Sequence, residues 1–321
     1  MTVPAVSVVV STRNRAQRLG GLIGSLRDQT LDPQRFEVVV VNDGSSDDTP
    51  EVLRREQREG GLSLRTIEIA QDRSGGPARG RNAGWRAAKG RLIAFTDDDC
   101  EATPGWLRAL VAASEERPGA ILQGPTEPIP RERDSQGPFT RTQTITGLGP
   151  HFQTCNIAYP RVLLAAVDGF DERTFPRYPG AEDADLAWRA QATGAATAFV
   201  DAARVYHAVN QLGPLGKLRL AAAWSDIVAL FARHPPMRRH LHHGIFWKAG
   251  HELLLRALLG AVLTRRLPPA ILLALPYARR LRRRARAERA SLMLVPYFVV
   301  HDALEVYAMV RGSIRHRYPV L

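Results

Sequence analysis

Cysteine, lysine and long apolar runs are what this sequence has least of. Its 321 residues hold two cysteines, Cys100 and Cys155. They stand in unrelated contexts without metal-ligand spacing, which argues against a disulfide framework or a thiolate metal site and places the chain in a reducing, cytoplasmic setting. No uninterrupted apolar run reaches the roughly 18–20 residues that a bilayer-spanning helix needs. The opening stretch MTVPAVSVVVSTRNR lacks the basic region and long apolar core of a secretory signal, and Val6–Val10 within it reads as a strand. Acids are outnumbered, 32 Asp and Glu against 44 Lys and Arg, for a net charge of +12. Nearly all of those cations are arginine, with lysine only at Lys89, Lys217 and Lys248. Such a balance implies an anionic partner: a nucleotide, a membrane surface or a nucleic acid. Nucleic acid fits least, because the basic residues gather in the last third without interleaved aromatics and no DNA- or RNA-binding motif occurs.

What is present is a chain with 45% hydrophobic and 24% charged residues. That suits one large folded domain, or one domain with an appendage. Val6–Ser11 and Glu37–Val41 are continuous β-branched runs, the mark of strands covered on both faces. Leu19, Leu22, Ile23 and Leu26 form the apolar stripe of a helix. Further helices are expected over Thr49–Arg58 and Pro77–Lys89 (with Gly90 as its C′ glycine) and from Pro104, and a third strand over Leu64–Ile69. This βαβα alternation predicts an α/β fold with an open, mostly parallel sheet and helices on both faces. Ligands then bind beyond the carboxyl ends of the strands, the edge shared by Thr12, Asp43 and an acidic triplet.

That triplet closes RLIAFTDDDCE, Arg91–Glu101. A strand over Leu92–Thr96 delivers Asp97, Asp98 and Asp99. Strand alternation points Asp97 and Asp99 one way and Asp98 the other. The first two could share a hard divalent cation and leave positions open for phosphate oxygens. A solvated acidic turn that caps the next helix accounts for these eleven residues equally well. The glycine-rich Gly75–Gly80 is neither a P-loop, lacking Gly-Lys-Ser/Thr, nor a dinucleotide fingerprint, lacking a strand leading directly into it.

STRNR after the first strand, VNDGSSDDT after the second, GGPARGRNAGWRAAKG and FTDDDC together resemble the nucleotide-sugar half of a family 2 glycosyltransferase. CNIAYPRVLLAAVDGFDERTF (Cys155 to Phe175) and AEDADLAWRA (Ala181 to Ala190) continue the resemblance over roughly residues 4–210, in the family's order. It implies the GT-A fold and a bacterial, non-processive, metal-dependent, inverting transferase. Such an enzyme moves one sugar from a nucleotide-diphosphate-sugar, a UDP-sugar foremost, to a hydroxyl of a glycan, lipid-linked or small-molecule acceptor. The Gln-x-x-Arg-Trp motif of processive polysaccharide synthases is absent.

By the same resemblance, Thr12, Arg15 and Asp43 would hold the nucleoside, Asp98 would contact ribose or the fold, and Arg81, or its neighbour Arg79, would neutralise the diphosphate. Asp97 and Asp99 match the DxD pair that binds Mn²⁺ or Mg²⁺, and His207 corresponds to a third ligand in several relatives. Asp183 would be the general base, Glu182 and Trp188 would lie on the acceptor side, and Asn156 there or at the sheet edge. Structural roles compete for several of these residues. Asp43 could close the VNDGS turn, Arg81 could lie on a solvated helix face, and acids in the first turn at Glu182 and Asp183 are favoured by the helix dipole. Asp185 can pair with Arg189 at i, i+4, and Trp188 suits packing. Cys100 is a neighbour of a hard ion rather than a ligand. Asp168 stands where the family's GGFDE loop has glycine.

Other enzyme classes fare worse. A nucleotidyltransferase on a related sheet needs a glycine-rich, Lys-ended motif after its first strand, and STRNR does not supply one.

The expected division is a GT-A catalytic domain over residues 1–212, with a nucleotide-sugar half about 1–101 and an acceptor half about 102–212, then a helical, Arg-rich region over 213–321. In the latter, Leu253–Thr264, Ala270–Leu275 and Leu292–Val300 are the most apolar runs. Joining the first two into a span would bury Arg256, Arg265 and Arg266, at about 2.5–3.5 kcal/mol each near the bilayer centre. ARRLRRRARAER, Ala278–Arg289, suits helices lying on an anionic membrane surface. A packed helical subdomain with solvated arginines, or a homodimer interface, fits the same pattern. His240, His242 and His243 have no acid or cysteine nearby in sequence and read as a solvated or interfacial face.

Overall fold

The computed structural model describes residues 3–175, 181–263 and 267–321. The chain divides into two units, Met1–Arg133 with Thr142–Val209, and Asp134–Arg141 with Asn210–Leu321. Arg265 and Arg266 lie outside the described residues.

The first unit begins β1 (Val6–Thr12), α1 (Ala16–Arg27), β2 (Phe36–Asp43), α2 (Thr49–Glu59), β3 (Leu64–Ile69), α3 (Pro77–Ala87) and β4 (Leu92–Phe95). It continues through β5 (Cys100–Ala102), α4 (Trp106–Glu116), β6 (Ile121–Gln123) and β7 (Thr126–Pro128). β8 (Thr140–Arg141) belongs to the second unit; β9 (Ile157–Pro160), α5 (Arg161–Ala166), α6 (Glu182–Ala192), β10 (Thr197–Phe199) and β11 (Val205–His207) complete the first. The main sheet runs β10-β6-β9-β4-β1-β2-β3. β1 pairs in parallel with both β2 and β4, and β9 runs antiparallel between β4 and β6.

The β-branched runs place these strands in the middle of the sheet, and alternation sorts their side chains onto two faces. Val6, Val8, Val10, Val38 and Val40 pack with Leu19, Leu22, Ile23 and Leu26 of α1 and Trp106 and Leu107 of α4. Val9, Val39, Ile93 and Phe95 pack with Trp85 of α3 and Leu186 of α6 on the other face. α3 lies unusually close to the strands. A Cβ on Gly84 would come within 2.4 Å of Val9 Cγ1, and one on Gly80 within 2.0 Å of Ser11 Oγ. The glycines of RGRNAG therefore serve close helix-on-sheet packing. Gly90 is not the C′ residue of α3, which ends at Ala87. It sits where a Cβ would strike the Ser7 backbone at 2.6 Å, and its N–H donates to Ser7 Oγ.

A smaller sheet, β5-β11-β7, forms beside the edge where the acidic triplet lies. β11 pairs antiparallel with β5, setting His207 opposite Cys100.

The second unit holds β12 (Asn210–Gln211), paired with β8, then α7 (Gly213–Ala222), α8 (Ile227–Arg233), α9 (Ala249–Leu263), α10 (Leu267–Ala287) and α11 (Val295–His316). The β8–β12 pairing is why Asp134–Arg141 joins this unit. Leu254, Tyr277, Leu281, Ala285, Phe298 and Val306 form its apolar centre. Contrary to the reading of short apolar runs, Leu292–His316 is long and apolar enough to cross a membrane by length and composition. Helix α11 carries that run past the acids that interrupt it. Those acids are buried and paired: Asp302 accepts from Tyr277 Oη (3.1 Å) and Arg284 Nη1 (2.8 Å), and Glu305 from Lys248 Nζ (2.5 Å). Against the upward push of burial, the His251 hydrogen bond and Lys248 hold Glu305 at about 2. His242 and His243 lie at the surface as expected, but not without an acid. Folding brings Glu252 to them, with His242 Nε2 at 2.6 Å and His243 Nδ1 at 3.1 Å from the same carboxylate oxygen.

Candidate active site

The site lies where β1, β2 and β4 end. Thr12 and Asn42 are paired neighbours on β1 and β2. Thr12 Oγ1 is shielded from solvent and makes no hydrogen bond of ordinary geometry, although its hydroxyl stands close enough to Asp98 to favour that carboxylate's ionised form. Asn42, not Asp43, closes the VNDGS turn, accepting from Ser45 N–H at 3.2 Å. Asp43 reaches instead to the glycine turn, accepting from Ser74 Oγ (2.9 Å), Gly75 N–H (3.3 Å) and Gly76 N–H (3.0 Å). Gly76 sits there at φ 83°, a backbone region glycine enters without strain.

The acidic triplet departs from the alternation predicted for it. β4 stops at Phe95, and Asp97–Cys100 is a turn closed by Cys100 N–H on the Asp97 carbonyl at 3.2 Å. A turn does not alternate, so Asp97 goes to one partner while Asp98 and Asp99 share another. Asp97 accepts from Arg81 Nη2 at 3.1 Å. Asp98 faces Arg15 Nε at 3.6 Å. Asp99 lies 3.9 Å from Arg15 Nη2 and 3.5 Å from His207 Nε2. Asp98 thus does not turn away from the site, since it shares Arg15 with Asp99. Burial first, then the charge of Asp99, pushes Asp98 up to about 7.

The donor set fits a divalent cation at Asp99 and His207. His207 Nδ1 lies 2.8 Å from the Ala208 carbonyl, which can only accept, so Nδ1 carries the proton. Nε2 then faces an Asp99 carboxylate oxygen at 3.5 Å, a separation that a cation ligated by both would span. A carbonyl on the far ring nitrogen is the usual support of a metal-bound histidine. Cys100 Sγ joins Asp99 and His207 within 4.8 Å. Burial pushes that thiol well above its usual range, so it stays protonated and leaves ligation to oxygen and imidazole. Asp97, anchored on Arg81, is outside this tight group.

Arg81 is the link that the sequence could not assign. It is buried, not on a solvated face, and bridges Asp97 to Glu182 through Nη1 at 2.9 Å, a contact spanning 101 residues. Its guanidinium also stands 5.7 Å from the centre of the Phe170 ring. Arg81 is therefore engaged by protein carboxylates in this state rather than open to a diphosphate. Beside Glu182 at the start of α6 is Asp183. Burial and the charge of Glu182 raise it to about 7, with Arg81 pulling the other way. A carboxylate poised near neutrality suits proton transfer.

The remaining acceptor-side expectations resolve into structural roles. Asn156 is fully buried, donating to the Pro125 (2.9 Å) and Ala203 (2.8 Å) carbonyls and accepting from Trp106 Nε1 at 2.9 Å. It has no group to offer an acceptor. Asn156→Ala would orphan three buried groups at about 1–3 kcal/mol each. A loss of about 3 kcal/mol or more is expected, seen as a lower denaturation midpoint in urea. Trp188 Nε1 donates to the Pro150 carbonyl at 3.0 Å, anchoring that loop. Asp185 is buried against Arg189 Nε at 2.7 Å, the helical pair expected of it. Asp168, at φ 55°, and Gly169 turn the chain so that Phe170 N–H and carbonyl both bond the Asn82 amide. Asn82, Phe170 and the Ala208 carbonyl, none of them assigned a role from sequence, are the groups that fix the loop, Arg81 and His207.

Residues 7–166 match the sequence model of Glycosyl transferase family 2. Validoxylamine A glucosyltransferase of Streptomyces hygroscopicus subsp. limoneus is 30% identical over 226 residues, covering 60% of this chain and 49% of that protein. TarS of Staphylococcus aureus, a poly(ribitol-phosphate) beta-N-acetylglucosaminyltransferase, is 31% identical over 116 residues, 36% of this chain and 20% of its own length. The chain spans about half the length of the first of these relatives. Among solved structures, the mannosyltransferase PcManGT from Pyrobaculum calidifontis, in complex with GDP-Man and Mn²⁺, aligns over 97% of this chain and 88% of its own, with a TM-score of 0.67 at 22% identity. S. aureus TarS 1–349 in complex with UDP-GlcNAc aligns over 98% and 92%, with a TM-score of 0.54 at 20% identity. Both share the fold described above.

Proposed function

The chain belongs to glycosyl transferase family 2, and we propose that it moves a single sugar from a nucleoside-diphosphate-sugar to an acceptor hydroxyl with inversion at the anomeric carbon. The observation that carries this is one constellation at the strand ends: Asp99 and His207 converge on a cation-sized gap, and Arg81 ties the neighbouring Asp97 to the helix start that presents Asp183.

Asp99 and His207, with Asp97 nearby, would hold Mn²⁺ or Mg²⁺, which would supply Lewis-acid neutralisation of charge on the departing diphosphate. Thr12 and Asp43 flank the nucleoside side, Asp43 by framing the glycine turn, and Arg15 balances Asp98 and Asp99. The acceptor oxygen attacks the anomeric carbon while the bond from that carbon to the phosphate oxygen breaks. Asp183 takes the hydroxyl proton, and the nucleoside diphosphate leaves. Glu182 holds Arg81 and so sets the charge around the base. UDP- and GDP-sugars, seen with the two structural neighbours, are the first donors to test, and a glycan, lipid-linked or small-molecule hydroxyl is the acceptor class. The anionic partner implied by the +12 charge includes the membrane surface on which a lipid-linked acceptor would lie. Proton NMR of the first-formed product tests the reaction: an anomeric configuration opposite to the donor's is expected, and retention would overturn the mechanism.

The elevated Asp183 carboxyl gives the reaction a pH signature. Its ionised form is the active one, and its value in the free protein is about 7. kcat/KM is expected to fall about tenfold per unit as pH drops below that value. Arg81→Gln removes the cation that favours ionisation and should move this limb to higher pH. A profile flat from pH 5 to 8 would assign the base elsewhere.

A further inference from the structure

We propose that His242, His243 and Glu252 form a zinc site that ties the 242–246 loop to the start of α9. All three residues belong to the second unit. His242 Nε2 and His243 Nδ1 lie 2.6 and 3.1 Å from the same oxygen of Glu252, and the three donor atoms fall within 4.8 Å of one another. Donors bound at about 2.0–2.1 Å to a tetrahedral ion stand about 3.4 Å apart. The carboxylate therefore has to draw back by less than about 1 Å to admit the ion. Two imidazoles and one carboxylate, with a fourth place open to water, are a donor set that suits Zn²⁺.

The backbone fixes both rings before any ion arrives. His242 N–H donates to the Phe246 carbonyl at 2.7 Å and Phe246 N–H donates back to the His242 carbonyl at 2.9 Å, closing a tight loop. Inside it His243 has φ 50° and Gly244 φ 70°. Glycine enters that region freely, whereas a histidine enters it at a cost. The turn stacks the two imidazoles with ring centres 4.1 Å apart and sets a nitrogen of each on Glu252. Arg238 Nε on the Gly244 carbonyl (2.8 Å) and Leu321 N–H on the Ile245 carbonyl (2.8 Å) brace the loop from outside. Glu252 is buried in the first turn of α9, where the helix dipole favours a carboxylate. Its other oxygen is held by Arg256 Nη2, so Arg256 leaves the shared oxygen to the histidines but competes with an ion for the carboxylate's charge. The neighbouring histidines are engaged elsewhere. His240 Nε2 accepts from Arg239 Nε at 3.3 Å, and His251 Nε2 faces Glu305 at 3.3 Å.

This inference is independent of the sugar-transfer reading, and its test needs no substrate. Zn²⁺ is titrated by calorimetry into the metal-stripped full chain. One zinc equivalent is expected that persists in His207→Ala and is therefore separate from the active site. Glu252→Gln keeps the size of the side chain and should weaken that equivalent at least about tenfold. His243→Gly relaxes the left-handed backbone and should weaken it as much, while the metal-free chain keeps its cooperative thermal transition. Arg256→Gln removes the competing cation and should tighten it. Zinc should also raise the thermal transition of the unaltered chain, a shift absent from Glu252→Gln. No zinc bound by the folded chain, an affinity unchanged in both Glu252→Gln and His243→Gly (the weak binding of any surface histidine), or loss of the equivalent in His207→Ala would each overturn the proposal.

Discussion

Asp183→Asn is expected to bind nucleotide-sugar as tightly as the unaltered protein and to transfer it about 10²–10⁴-fold more slowly, the range that general-base catalysis supplies. The amide keeps the size of the carboxyl and its oxygen can still accept from Ala184 N–H, the 2.9 Å contact at the start of α6. What it loses is the capacity to take a proton. The neighbouring acid cannot substitute, because Glu182 is held by Arg81 Nη1. Nor can Asp185, buried two residues on against Arg189. Separate measurement of donor affinity and single-turnover transfer distinguishes the outcomes. Full transfer by Asp183→Asn would remove it as the base.

Asp99→Ala should act at the other step, abolishing metal-dependent nucleotide binding. Loss of an outer-shell partner of a metal ligand typically costs about 10–100-fold in affinity or activity. Loss of a ligand is therefore expected to cost at least about 100-fold in apparent Mn²⁺ affinity. His207→Ala should resemble it, since Nε2 is the other half of the 3.5 Å gap. Asp98→Asn should be milder on metal, because Asp98 faces Arg15 and, raised by burial and Asp99, sits near neutrality already. Manganese titrations followed by nucleotide binding order the three variants. An Asp98→Asn defect larger than that of Asp99→Ala would contradict the assignment.

How much of this was legible in the sequence depended on whether the determining contacts were local. β1 and β2 were readable because an unbroken run such as VVVV leaves few alternatives to a strand covered on both faces. The apolar stripe Leu19, Leu22, Ile23 and Leu26 set α1 for the same reason. The triplet's residues were found but their orientation was not. One backbone hydrogen bond, Cys100 to Asp97, converts the strand end to a turn and cancels the alternation. Arg81 could not be assigned, since its partner Glu182 is 101 residues away. Asn156 could not be decided between the acceptor side and the sheet edge, because a buried amide satisfied by three distant groups looks, in sequence, like any polar residue beside a strand. The pair at 242–243 lies at the surface as read, but the acid it meets arrives from the following helix and could not be seen locally. A search for uninterrupted apolar runs stops short of Asp302 and Glu305, because the cations that neutralise them in α11 lie on other segments.

The central claim is that Asp99 and His207 hold a divalent cation that recruits a nucleoside diphosphate. Isothermal titration of UDP and of GDP into the metal-stripped chain, with and without Mn²⁺, tests it most directly. Saturable binding of one of them only when Mn²⁺ or Mg²⁺ is present, lost in Asp99→Ala, is expected. Equal affinity with and without metal, or no binding of either nucleotide to the folded protein, would contradict it.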